Sequence, residues 1–128
     1  MANPKRVEAF LAMADEDLGA ASMLLASSTR IARYHVQQSA EKAVKALLEH
    51  RGLNPGREHR FEFLAEMLPE SDIWRARIRD LDLLSPAATT YRYPTSEGRI
   101  LPPPEREPIL REIAMVRQSI QDVRAAVS

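Results

Sequence analysis

Apolar positions along this chain recur at three- and four-residue steps and nowhere alternate, so the pattern predicts helices throughout and no strands. Val7, Phe10, Leu11, Ala14, Leu18, Ala21 and Leu25 carry a first helix to about Ala26, with Asn3 as its cap and Pro4 at its first helical position. The polar turn Ser27-Ser28-Thr29 caps a second helix from about Arg30 to Arg51, which Gly52 stops as a left-handed C′ residue. A short helix, His59–Leu68, turns Phe61, Leu64, Ala65 and Leu68 inward and closes at Pro69. Ser71 or Asp72 caps a fourth helix, Ile73 to Ala88, with Ile73, Ala76, Asp80, Leu81, Leu84 and Ala87 on its inner stripe. Its Arg75, Arg77 and Arg79 mostly face out, and Pro86 bends or ends it. Tyr91–Pro108 holds five of the nine prolines and reads as a long extended connection. In the last helix Ile109, Ile113, Val116, Ile120, Val123 and Val127 step by four, three, four, three and four, a seam suited to a bundle or to a second copy. The expected fold is all-α, a single domain over residues 1-128. It is an up-and-down bundle of four long helices plus one short one, with a long Pro-rich loop before the last.

The second helix is the one the others surround. Ala32, Val36, Ser39 or Ala40, Ala43 and Leu47 form a stripe of mostly small residues that lets neighbours approach closely. Its other edge is polar: Glu41 faces Lys45 one turn on, and Gln38 neighbours Glu41 and Lys42, so these four are candidates for a structural polar network. The acidic run Asp15-Glu16-Asp17 reads as a solvated face, because adjacent helical positions point in different directions.

Composition removes several classes. Eighteen basic residues balance eighteen acidic ones, which argues against a module held on DNA by phosphate neutralisation. With no cysteine and three scattered histidines there is no disulfide framework and no zinc site. The four glycines form no phosphate-cradling loop, so no nucleotide-fold fingerprint and no cofactor is indicated. No apolar run approaches the roughly 20 residues that cross a bilayer, and no signal-peptide core follows the N-terminus; a cytoplasmic location is the expectation.

Three segments resemble the HEPN domain family, a small helical module linked with nucleotide binding. Gln37-Gln38-Ser39-Ala40-Glu41-Lys42-Ala43-Val44-Lys45-Ala46 is similar to the family's Gln-Gln-x-x-Glu-Lys-x-x-Lys-Ala helix. His59-Arg60-Phe61 stands where the family has His-Asp-Leu, and Tyr91-Arg92-Tyr93-Pro94 looks like its Arg-Tyr-Pro loop. Many members are ribonuclease toxins that use an Arg-x4–6-His motif at a dimer interface. Arg92 stands where that arginine is expected, but no histidine follows it. A metal-free ribonuclease needs a group that takes and returns a proton near neutral pH. The resemblance therefore implies the non-catalytic branch, which binds a ligand without cleaving it. It also implies a homodimer, paired with a small nucleotidyltransferase in a toxin–antitoxin-like arrangement. Arg30 and His35 also satisfy the spacing, yet residues five apart on one helix do not face each other.

The candidate nucleotide-binding residues are Lys42, Lys45, His59, Arg92 and Tyr93, with Gln38 and Glu41 structural; none is assigned as catalytic or as a metal ligand. Arginine suits bidentate phosphate contact and tyrosine stacks on a base, while His59 opens its helix where free backbone N–H groups favour anions. Two other readings stand beside this one. One is a metal-independent HEPN ribonuclease toxin with an atypical active site; the other is a purely structural dimerisation or scaffold bundle.

Overall fold

Asn3 opens the first helix with its side-chain oxygen, which accepts the Arg6 N–H at 3.3 Å while Pro4 occupies the first turn. Such a cap is worth about 1 kcal/mol. The structure, a computed structural model, describes residues 2–128. The helices are α1 (Pro4–Leu24), α2 (Thr29–His50), α3 (Phe61–Glu66), α4 (Ile73–Asp80) and α5 (Arg106–Val127), with a 3-10 segment, Leu81–Ala87, directly after α4. No strand occurs among the described residues, and the architecture is the expected all-α bundle. None of the described helices is long and apolar enough to cross a membrane.

The ends of α2 follow local rules. Ser28 accepts the Ile31 N–H at 3.2 Å. At the other end Gly52 has φ 75°, Leu53 N–H reaches the Leu48 carbonyl at 3.0 Å, and Gly52 N–H reaches that of Glu49 at 3.0 Å. That is a glycine-terminated left-handed cap satisfying two free carbonyls. Between its ends, α2 touches α1, α5 and the 3-10 segment. Its small residues permit this: Ala32, Ala40 and Ala43 are buried, and Ser39 Oγ donates to the Ala14 carbonyl of α1 at 2.7 Å. The α5 seam is closed inside the chain. Ile109, Ile113, Val116, Ile120 and Val123 are all buried, each contributing about 2 kcal/mol, so this stripe packs along the bundle rather than against a second copy.

Three boundaries depart from the expectation. The fourth helix is α-helical only to Asp80, and its inner face is different. Ile73 is 71% exposed and Ala76 and Asp80 are also exposed, whereas Trp74, Ile78 and Leu81 turn inward. One 3.6-residue template over the whole stretch mis-phases its first half. Leu81, Leu84 and Ala87 recur every third residue, the period of a 3-10 helix, and all three are buried. The short helix starts at Phe61 rather than His59, because the Glu58 carboxylate accepts the N–H groups of both His59 and Arg60 and holds them in a turn outside it. The long connection ends earlier than Pro108, which lies in the first turn of α5, where a missing N–H removes no helical bond.

Candidate functional site

Arginine and tyrosine concentrate at the N-terminal end of α2, where the connection after the 3-10 segment passes over it. Arg30, Arg33 and Tyr34 project from the first turns of α2, and Tyr91, Arg92 and Tyr93 arrive from the connection. Arg30 Nη2 donates to the Leu101 carbonyl at 2.6 Å. Arg33 makes two hydrogen bonds to Glu112 of α5, at 3.0 and 2.9 Å, and its guanidinium lies 5.7 Å from the Tyr91 ring centre. Arg92 is different. Its guanidinium lies 4.5 Å from the Tyr34 ring centre and 5.4 Å from that of Tyr93, and among the described residues no carboxylate or carbonyl accepts from it. Arg92 is exposed and Tyr93 is 62% exposed. A cavity of about 160 Å³ opens between Arg30, Tyr34, Ala87, Tyr91 and Arg92.

Further along α2 the polar edge forms a chain. Gln38 donates to Gln37 at 2.7 Å, Gln37 donates to Glu41 at 3.3 Å, and Glu41 pairs with Lys45 at 3.3 Å. Lys45 also reaches the Gly56 carbonyl at 3.4 Å. Gln37, Glu41 and Lys45 are all buried, so their polar atoms are satisfied inside the protein. Of the four residues expected in one network, Gln38, Glu41 and Lys45 lie along this chain and Lys42 does not; Gln38 reaches Glu41 only through Gln37, which the expectation left out. An amide beside a second amide offers no period or charge signal to separate the two.

Lys42 does not join this chain. It turns toward α1 and pairs with Asp17, whose other carboxylate oxygen lies 3.0 Å from His35 Nδ1. Asp17 is therefore a joint between α1 and α2, not part of a solvated face. Asp15 is likewise engaged, by Arg124 of α5. The five candidate residues thus separate. Arg92 and Tyr93 sit at the start of α2, while Lys45 lies eleven residues after Tyr34, about 16 Å further along the axis. Lys42 faces α1, and His59 is exposed in the turn before α3. Arg30 and His35 do not meet either: one holds Leu101 and the other holds Asp17.

The fold defines the class of protein, a small all-helical bundle. The HEPN domain model matches residues 7–126, and the chain belongs to that family. Among solved structures it is similar to TT1696 from Thermus thermophilus, with 23% identity, a TM-score of 0.76, and coverage of 94% of this chain and 97% of that one. It is also similar to ST0689, an archaeal HEPN homologue, with 20% identity, a TM-score of 0.65, and coverage of 95% and 98%. No curated protein matches the chain.

Proposed function

We propose that this HEPN protein binds a nucleotide or RNA-like anionic ligand through Arg92 and Tyr93, without catalysing its cleavage. The observation that carries the reading is the free guanidinium of Arg92, stacked over Tyr34 and set beside the exposed Tyr93 ring. Arginine prearranged on an aromatic face presents its N–H groups edge-on to a phosphate, and an exposed tyrosine offers a surface for a base. Lys42 and Lys45 already have carboxylate partners, so the ligand's charge falls to Arg92. Isothermal titration with ATP tests the proposal: saturable heat with the wild type and none with Arg92→Ala supports it, whereas no heat with any nucleotide removes it.

The family resemblance adds a homodimer and a small nucleotidyltransferase-type partner in a toxin–antitoxin-like pair. Since the α5 seam is buried in the chain's own core, the second copy meets another surface. Light scattering at high micromolar concentration and co-purification with such a partner test these two parts separately.

One observation favours the ribonuclease reading enough to test it. Asp17 holds His35 at Nδ1, 3.0 Å away, and among the described residues Nε2 has no hydrogen-bond partner. RNA cleavage by the purified protein that is lost in His35→Ala would establish that chemistry in place of the binding-only role.

A further inference from the structure

The alanine face of α2, turned away from Tyr34, borders a second cavity. It measures about 240 Å³ and lies between α2, α4, the 3-10 segment and α5. Ala40 and Ala43 of α2, Trp74 and Ile78 of α4, and Met115 and Ser119 of α5 are among its lining residues. On α2 the small Ala40 and Ala43 line it beside Val44 and Leu47, and on α5 Ser119 lies between Met115 and Val123 with its hydroxyl turned back to the Met115 carbonyl at 3.1 Å. Protein interiors pack at crystal density with few voids larger than a water molecule. An apolar void of roughly 150 Å³ stays dry and accepts a benzene-sized molecule. This one is larger and reaches the surface.

Its rim carries charges of both signs, Arg77 and Asp80, of which only the first has a partner. The Arg77 guanidinium lies 4.0 Å from the Trp74 ring centre and is ion-paired with Asp122, so its charge is offset. Asp122 also accepts from Gln118 at 3.0 Å, and these contacts hold its carboxyl below the usual carboxylate range. Asp80, the last residue of α4, is exposed and has no hydrogen-bond or ion-pair partner among the described residues. The rim is left with one uncompensated carboxylate above an apolar interior.

We propose that this cavity binds a small amphiphilic cation, an amine with an aromatic or short alkyl body that enters between Trp74 and Met115 while its ammonium group meets Asp80. The arrangement separates the two halves of such a ligand as a binding site does, with an apolar body buried and a single polar contact fixing its orientation. A carboxylate of the same shape is repelled by Asp80, and a neutral alcohol gains only the apolar contacts. The site is independent of the Arg92 corner, because it uses a different face of α2 and shares no residue with it.

Trp74 is the only tryptophan and lines the cavity, so its fluorescence reports occupancy. The full chain is titrated with 2-phenylethylamine, 2-phenylethanol and 3-phenylpropionate. The amine is expected to saturate the signal at about fivefold lower concentration than the alcohol, the gain of one partly solvated ion pair, with the acid weakest. Asp80→Asn should bring the amine to the alcohol's affinity, and Ala43→Leu should abolish binding of both by filling the space. A preference for the acid, an amine preference that survives Asp80→Asn, or no saturation with any of the three overturns the proposal. Should Ala43→Leu fail to fold, Asp80→Asn at its exposed position and the loss of the amine's advantage at high salt still decide it. ATP titration of the Asp80→Asn variant, expected to match wild type, keeps this result separate from that of the Arg92 site.

Discussion

Arg33 and Glu112 stand 79 residues apart in the chain and meet through two parallel hydrogen bonds, at 3.0 and 2.9 Å, that tie α2 to α5. Their side chains are only 16% and 11% exposed, so each charge depends on the other for solvation. Arg33→Ala leaves the Glu112 carboxylate without its partner in a largely dry setting and is expected to cost about 3 kcal/mol. Replacing both, Arg33→Met with Glu112→Leu, should cost much less, because the desolvated charges go together. Urea denaturation of the wild type, the single variants and the double variant gives the comparison.

Asp17 serves two partners on α2, His35 and Lys42. Asp17→Asn keeps the shape but removes the charge that both contacts use. A loss of about 1–2 kcal/mol is expected, compared with less than about 0.5 for Glu16→Gln next to it, since Glu16 is exposed and unpaired among the described residues. Thermal melts of the two variants distinguish a joint between helices from a surface charge.

These two pairs also show where reading the chain alone stops. Asn3-Pro4, Ser28 and Gly52 are legible because capping is a matter of neighbours along the backbone, and the α5 seam because one unbroken period runs through it. Asp17 looks solvated in the sequence since its partners lie 18 and 25 residues away, and nothing in an Asp-Glu-Asp run indicates which member turns inward. The α4 face is mis-phased where the helix type changes at Leu81. The three-residue spacing of Leu81, Leu84 and Ala87 is visible, but it fits a 3.6-residue stripe as well. At the candidate site, Arg92 and Tyr93 are singled out by the resemblance of Tyr91-Arg92-Tyr93-Pro94 to the family's Arg-Tyr-Pro loop; that Tyr34 lies under Arg92 requires the fold.

Tyr34 supports Arg92 without hydrogen-bonding to it, so its removal should weaken the proposed nucleotide contact less than loss of the arginine itself. Tyr34→Ala is expected to reduce ATP affinity by about fivefold, the worth of one exposed cation–π stack. Arg92→Lys should lose most of the affinity although it keeps the charge, because an ammonium neither stacks nor forks. Calorimetric titration of both variants, alongside Arg92→Ala, orders the three effects.

Glu58 has its carboxyl lowered from an ordinary value of 4.5 to about 2, chiefly by the Arg60 guanidinium and then by the Arg60 backbone N–H. A carboxylate depressed on folding adds stability that is complete above its unfolded value and disappears as pH falls toward the folded one. The turn before α3 should therefore hold its structure above pH 4.5 and loosen progressively between 4.5 and about 2. Carboxyl NMR titration should place the Glu58 midpoint near 2 in the wild type and move it upward in Arg60→Ala.

Among the described residues, a single hydrogen bond joins the bundle to residues 94–104, the one from Arg30 to the Leu101 carbonyl; the bonds of Thr95, Gly98 and Arg99 stay within the segment itself. Doubling the length of such a segment raises the entropic cost of closing it by only about 0.6 kcal/mol. The tip at Ser96-Glu97 is consequently a place to splice in a reporter peptide or an affinity tag. Both halves of the bundle would still find each other, and the arginine–tyrosine corner would keep its mooring on either side of the graft.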